Sequence, residues 1–174
     1  MSCNCGLRGL MKFVVDAMLG NLARWLRMLG YDTLYSRKAE DWRILRVAEK
    51  SSRIIVTRDV GLFRKARKKG LEAVLISTDD VSKMLAQLSL EVGVELKFNP
   101  SNTRCPKCNT LLERMNKAEA LSLLPKDLGV KYEDFWRCPK CRKIYWQGNH
   151  WKTISETLDE ALRLKAGLTS NGKQ

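Results

Sequence analysis

The sequence predicts an α/β fold with a parallel sheet, followed by a smaller module stapled by metal. Two observations carry this. Between residues 11 and 93, short apolar runs alternate with amphipathic segments, the pattern of a parallel sheet covered on both faces. Beyond that stretch stand Cys105-Pro-Lys-Cys108 and Cys138-Pro-Lys-Cys141, two pairs with the spacing of zinc knuckles.

The elements follow in order. Lys12–Asp16 (KFVVD) is an apolar strand ending in an acid. Leu19, Leu22, Ala23, Leu26 and Leu29 fall at helical spacing, and Gly30 stops the helix. Thr33–Tyr35 is a weaker strand, and Asp41–Lys50 a helix through Ile44, Leu45 and Ala48. Arg53–Thr57 (RIIVT) is the strongest strand signal, being β-branched throughout its centre. Leu62–Lys69 is a helix closed by Gly70, Ala73–Ile76 a buried strand, and Val81–Val92 a further helix. Asn99-Pro100 breaks a linker over residues 94–103. Asn116-x-x-Glu119 reads as a capping box for a short helix ending by Pro125, and Thr153-x-x-Glu156 as one for a last helix to about Lys165, with a frayed tail after it. The expected units are 11–97, 104–151 and a terminal helix over 152–166. Residues 1–10, with Cys3 and Cys5, carry no assigned role.

Composition narrows the partners. The formal charge is +13, divided as +7 over residues 1–100 and +6 over the remainder. An excess spread along the chain favours a polyanion, most simply nucleic acid, although a charged surface also explains it. No apolar run approaches the ~20 residues of a membrane span, and the N-terminal residues do not read as a secretory signal. A reducing cytoplasm is therefore the expected compartment, where six cysteines suggest metal before disulfides. Four thiolates leave no open coordination position, so this zinc is expected to be structural.

The acids carry the chemistry. Asp16 ends the first strand, Asp59 follows the RIIVT strand, Asp79 and Asp80 follow the next, and Asp41 opens the second helix. In a parallel sheet the strand ends share one edge, and gathered carboxylates need a cation to coexist. Hard oxygen donors suit Mg²⁺ or Mn²⁺, which can activate water against a phosphodiester. Simpler readings stand beside this one: Asp79 as a helix cap, Asp41 as a first-turn acid, Glu40 and Glu49 as solvated charges. The single histidine, His150, excludes a two-histidine ribonuclease mechanism, and no Gly-rich loop precedes a Lys-Ser/Thr pair.

Arg24 and Arg27 lie off the apolar stripe of the first helix. With Arg58, Arg64, Lys65, Arg67, Lys68 and Lys69 they are candidate phosphate contacts or merely a solvated face. The aromatics around the second knuckle, Phe135-Trp136 and Tyr145-Trp146 through Trp151, with His150, either stack unpaired bases or form the core of a ribbon.

The ordered pattern DAMLGNLARWLRMLGYD, RIIVTRD, a CPKC pair and FWRCPKC-x3-YWQGNHW resembles the PIN-like ribonucleases of the Mut-seven C-terminal type, over about Met11 to Trp151. The resemblance implies a three-layer α/β/α sandwich with an acidic Mg²⁺ or Mn²⁺ site that cuts single-stranded or structured RNA. Asp16 and Asp59 match the first and third acids, Asp41 the second where such domains commonly carry Glu, and Asp79 or Asp80 the fourth. The expected activity is endoribonucleolytic. The rival reading is an inactive PIN-like factor bound to RNA or the ribosome. A DNA-binding zinc-ribbon transcription factor leaves the acids unused.

Overall fold

The computed structural model describes residues 11–125, 131–148 and 150–171. Four strands form a parallel sheet: β1 (Lys12–Val15), β2 (Asp32–Tyr35), β3 (Ile54–Thr57) and β4 (Ala73–Leu75). Their spatial order is β2-β1-β3-β4. The connecting helices are α1 (Gly20–Met28), entered through a 3-10 turn at Ala17–Leu19, then α2 (Asp41–Ser51), α3 (Val60–Lys68) and α4 (Val81–Val92). The alternating apolar runs of the sequence thus become strand and helix as expected.

Successive side chains of one strand point to opposite faces, and both faces are covered. Phe13, Val15, Ile54, Val56 and Val74 join one core with residues of α1 and α4, whereas Val14, Ile55 and Ala73 join the other with residues of α2 and α3. The architecture is therefore a three-layer α/β/α sandwich. β1 feeds α1 toward β2 on one side, while β3 feeds α3 toward β4 on the other. The carboxyl ends of β1 and β3 are thus a topological switch point, where open α/β sheets form their binding crevice.

The second module is an antiparallel sheet of β5 (Glu113–Met115), β6 (Phe135–Arg137) and β7 (Ile144–Trp146), in that spatial order. A short helix, α5 (Lys117–Leu123), lies between β5 and β6. Asn116 caps it as expected, accepting the Ala118 N–H at 2.8 Å. The reciprocal half of the capping box is absent, because the Glu119 carboxylate takes Arg137 instead, at 2.7 Å. The small core is Met115, Ala120 and Phe135, with Tyr132, Ile144 and Trp146 packed on it.

The last helix differs from expectation. α6 spans His150–Asn171, so Thr153 lies inside it and is not its cap. It also runs past the expected end near Lys165, through residues expected to fray. The reason is packing: Leu158 and Ala161 enter the same core as α1 and α4, and Lys165 donates to the Ser89 hydroxyl of α4 at 2.9 Å. Tertiary burial extends a helix that propensity alone would end sooner. Likewise the linker is no free tether, since Val94 and Leu96 are buried in that core. Among the described residues no helix is long and apolar enough to cross a membrane.

Candidate active site and zinc centre

Asp16 lies immediately beyond β1, at the switch point. Its carboxylate accepts the Ala17 N–H at 2.6 Å and the Thr57 hydroxyl at 2.8 Å. That hydroxyl, at the end of β3, also accepts the Asp59 N–H at 2.9 Å. One buried threonine therefore ties the first acid to the backbone of the third. Asp59 in turn N-caps α3, accepting the Leu62 N–H at 2.9 Å. A Cβ on Gly61 would stand 2.9 Å from that same carboxylate oxygen, so the glycine leaves room for it.

The other acids are each engaged separately. Asp41 opens α2 and pairs with Lys65 of α3 at 2.9 Å. Lys65 is held above its ordinary pKa, first by its hydrogen bond to the Asp41 carboxylate and by that group's charge, with Asp59 adding to the effect. Asp79 is exposed and pairs with Arg58. The cap of α4 is Asp80, which accepts the Lys83 N–H at 2.9 Å, so the capping role considered for Asp79 belongs to its neighbour. Asp16 and Asp59 thus share one anchor, Asp41 and Asp79 face resident cations, and Asp80 is occupied with its helix. Among the described residues, the only group of three or more Cys, His, Asp or Glu close enough to hold a metal consists of the four cysteines.

Those four sulfurs lie within 4.8 Å of one another. Cys105 and Cys141 are 3.6 Å apart, and Cys108 and Cys138 3.3 Å apart. Four thiolates at ~2.3 Å from one zinc stand about 3.8 Å apart, so the donor set fits a structural zinc. The knuckles are built alike. Asn109 N–H donates to Cys105 O at 2.8 Å and Arg142 N–H to Cys138 O at 2.9 Å, each from a residue at positive φ (68° and 58°). Burial opposes ionisation of Cys108, but hydrogen bonding with Thr110 overcomes it and draws the thiol down to about 6. Burial pushes Cys138 up to about 12, a thiol that a zinc ion would deprotonate outright. The Tyr145 hydroxyl lies 3.1 Å from Cys105 Sγ, where it would donate to a zinc-bound thiolate.

The expected phosphate contacts separate into distinct groups. Arg27 is buried and spoken for: its guanidinium donates to the carbonyls of Thr33 (2.9 Å), Pro106 (2.8 Å) and Lys107 (3.3 Å). It docks the first knuckle on the sheet domain, so the expected phosphate role is corrected to a structural one. Burial draws its pKa down while the facing cysteines oppose that shift. Arg24 is exposed and lines a cleft with Arg37, Lys107 and Lys143. Arg64 and Lys68 are exposed on α3, in the layer away from α1. Arg58 and Lys65 face Asp79 and Asp41.

The aromatics divide as well. Phe135 and Trp136 are core, and Trp151 packs edge-on against Phe98 with centroids 4.4 Å apart. Trp146 is half-buried and His150 exposed, and both line a second cavity.

Sequence reasoning missed Thr57, Arg37, Lys107, Lys143 and Arg104. Arg104 donates to Gly30 O at 3.2 Å, and its own N–H reaches Arg27 O at 2.9 Å. With Thr103 donating to Met28 O at 2.9 Å, the ribbon satisfies carbonyls that the end of α1 leaves open. Only Thr57 had a signal, as the last residue of a buried strand directly before Arg58-Asp59.

No curated protein and no solved structure matches the chain. The family model of the Mut7-C RNAse domain matches residues 11–158, a span holding both the Asp16–Thr57–Asp59 edge and all four cysteines. On that match the chain belongs to the Mut7-C RNAse domain family.

Proposed function

We propose that the protein is an endoribonuclease that hydrolyses RNA phosphodiester bonds with Mg²⁺ or Mn²⁺ at the switch-point edge. Membership of an RNAse-domain family supports a nuclease-like, RNA-related function. The observation that carries the finer reading is the joining of Asp16 to Asp59 through the Thr57 hydroxyl. Two acids far apart in sequence sit on one anchor, at the place where such sheets bind ligands.

Asp16 and Asp59 would be the principal metal ligands; each carboxylate oxygen engaged by an N–H or hydroxyl keeps a lone pair for an ion. Asp41 and either Asp79 or Asp80 would complete the site. A bound divalent ion would supply an activated water and offset charge on the phosphate. The Thr57 hydroxyl and the Ala17 N–H hold the Asp16 carboxylate in one orientation. Lys65 and Arg58 lie beside Asp41 and Asp79, positioned to exchange those carboxylates for a phosphate. The zinc supports the ribbon and takes no part in the chemistry.

The test is cleavage of labelled RNA by the zinc-loaded protein with added Mg²⁺ or Mn²⁺. Asp16→Asn should abolish cleavage while leaving the melting temperature close to that of the parent; an unchanged rate would refute the assignment.

One observation favours a second reading, an RNA- or ribosome-binding factor that does not cut. Lys65 and Arg58 already neutralise Asp41 and Asp79, which lessens the demand for a metal. Co-sedimentation with ribosomes alongside absent metal-dependent cleavage would select it.

A further inference from the structure

We propose that a single-stranded RNA segment lies along one continuous track, which crosses the zinc ribbon and ends at Asp16, and that the ribbon supplies one of its walls. This deepens the ribonuclease reading and rests on it for the identity of the far end.

Two cavities define the track. The first, about 910 Å³, opens between the start of α1 and the ribbon. Its floor includes Ala17 and Met18, the residues directly after Asp16, and Met18 is 71% exposed there. Arg24 and Arg37 come from the sheet domain, Lys107 from the first knuckle and Lys143 from beside the second. All four are exposed, none is held by a carboxylate among the described residues, and no acid lines the cavity. Cations so placed, unpaired and facing one another across a cleft, create a field that attracts a polyanion.

The second cavity, about 460 Å³, shares Lys143 and Tyr145 with the first. Its character is different. Tyr132, Trp146 and His150 line it, with the Tyr132 and Trp146 rings 6.5 Å apart between centroids. Gly148 lets the backbone pass close by, since a Cβ there would stand 2.8 Å from the Trp146 indole nitrogen. Half-buried rings held by a small core are stacking platforms for unpaired bases. Lys143, with its ammonium 5.7 Å from the Tyr145 ring centroid, sits at the junction where a phosphate follows a stacked base.

Phosphate contacts at one end and aromatic platforms at the other suit one strand whose bases are free. A duplex keeps its bases stacked internally and gains nothing from the aromatic end. The outer cations of α3, Arg64 and Lys68, line neither cavity and are not part of the track.

The experiment measures affinity, not cleavage. Zinc-loaded protein without added Mg²⁺ or Mn²⁺ is titrated into labelled single-stranded RNA of about 12 nucleotides, and into the same sequence as a duplex, across a range of salt. The single strand should bind at least tenfold more tightly. Lys107→Ala with Lys143→Ala should weaken it about tenfold or more and reduce the salt slope by about 1.4, the value for two phosphate contacts on a single strand. Lys68→Ala with Lys69→Ala at the end of α3 should change affinity less than twofold. Trp146→Leu keeps apolar volume in the ribbon, and should weaken single-strand binding with little effect on the salt slope. Equal affinity for duplex, or an unaffected Lys107/Lys143 variant, overturns the track. Cleavage retained despite either result leaves the ribonuclease reading standing, whereas the expected binding without Mg²⁺- or Mn²⁺-dependent cleavage removes that reading and keeps the track.

Discussion

The Asn109 side chain accepts the Thr33 backbone N–H at 3.0 Å, so a zinc knuckle completes the hydrogen bonding of an edge strand of the parallel sheet. The same amide donates to Asp32 at 2.7 Å, and Arg27 donates to Thr33 O at 2.9 Å. At Thr33 the outer side of β2, which would otherwise be open to pairing with another chain, is closed by the ribbon's Asn109 and by Arg27 of α1.

Zinc removal is therefore expected to reach the sheet. Ligand binding at a structural zinc is folding energy, and here the folded knuckle also holds β2. Chelation should lower the melting temperature of the whole chain and raise amide exchange at Thr33 along with exchange in the ribbon. Exchange at Thr33 that ignores chelation would show instead that the ribbon unfolds while the sheet is spared.

Asp32 gives the junction a pH dependence. Burial works against its ionisation, but hydrogen bonds from Arg53 and Asn109 win and hold its pKa below the ordinary carboxylate value. A group depressed on folding contributes stability that is present above its unfolded pKa, and that stability is lost as pH falls through the folded value. The protein should thus lose stability below about pH 4, and Asp32→Asn should flatten that part of the profile. Denaturant midpoints measured across the acid range would show a parallel loss in both proteins if Asp32 plays no part.

Thr57→Val removes the hydroxyl between Asp16 and Asp59 while keeping shape. It should cost about 1–3 kcal/mol, because it leaves buried partners unsatisfied, and should lower RNA cleavage at least tenfold. Thr57→Ser should recover most of the activity. Recovery by serine separates the hydroxyl from mere packing; failure of serine to recover would assign Thr57 to the core alone.

Gly30 stands at φ +96°, and a Cβ there would lie 2.7 Å from the Asn102 carbonyl oxygen. Gly30→Ala combines left-handed strain of about 1–2 kcal/mol with a backbone clash between α1 and the segment leading into the ribbon. A loss of about 3 kcal/mol is expected in urea unfolding. A loss under 1 kcal/mol would show that this segment yields freely.

Much of the sandwich was legible because each strand of β1, β3 and β4 is a compact β-branched or apolar run, and each intervening helix carries an unbroken apolar stripe. The two CPKC pairs likewise declare their site, since both ligands of a knuckle are local. Of the acids, Asp16 and Asp59 were legible as neighbours because strand ends must meet. The pairing of Asp41 with Lys65 and of Asp79 with Arg58 was not, since each depends on the relative placement of separate loops and helices. Arg27 shows the same limit. By position on its helix it reads as a surface cation, yet a ribbon some eighty residues later covers it. The wall formed by Lys107 and Lys143 was invisible for the same reason: it exists only once the knuckles have docked.

The place of α6 has a consequence for how the chain matures. Leu158 and Ala161 fill a seam against α4, so the ribbon is spliced between two pieces of one core. During synthesis the sheet layer emerges first, yet its apolar flank around Leu85 and Leu88 must wait until the ribbon and then the final helix have left the ribosome. A product halted at residue 149 would carry Asp16, Asp41, Asp59, Asp79, Asp80 and all six cysteines but leave that flank bare. It would aggregate rather than persist as a smaller folded protein.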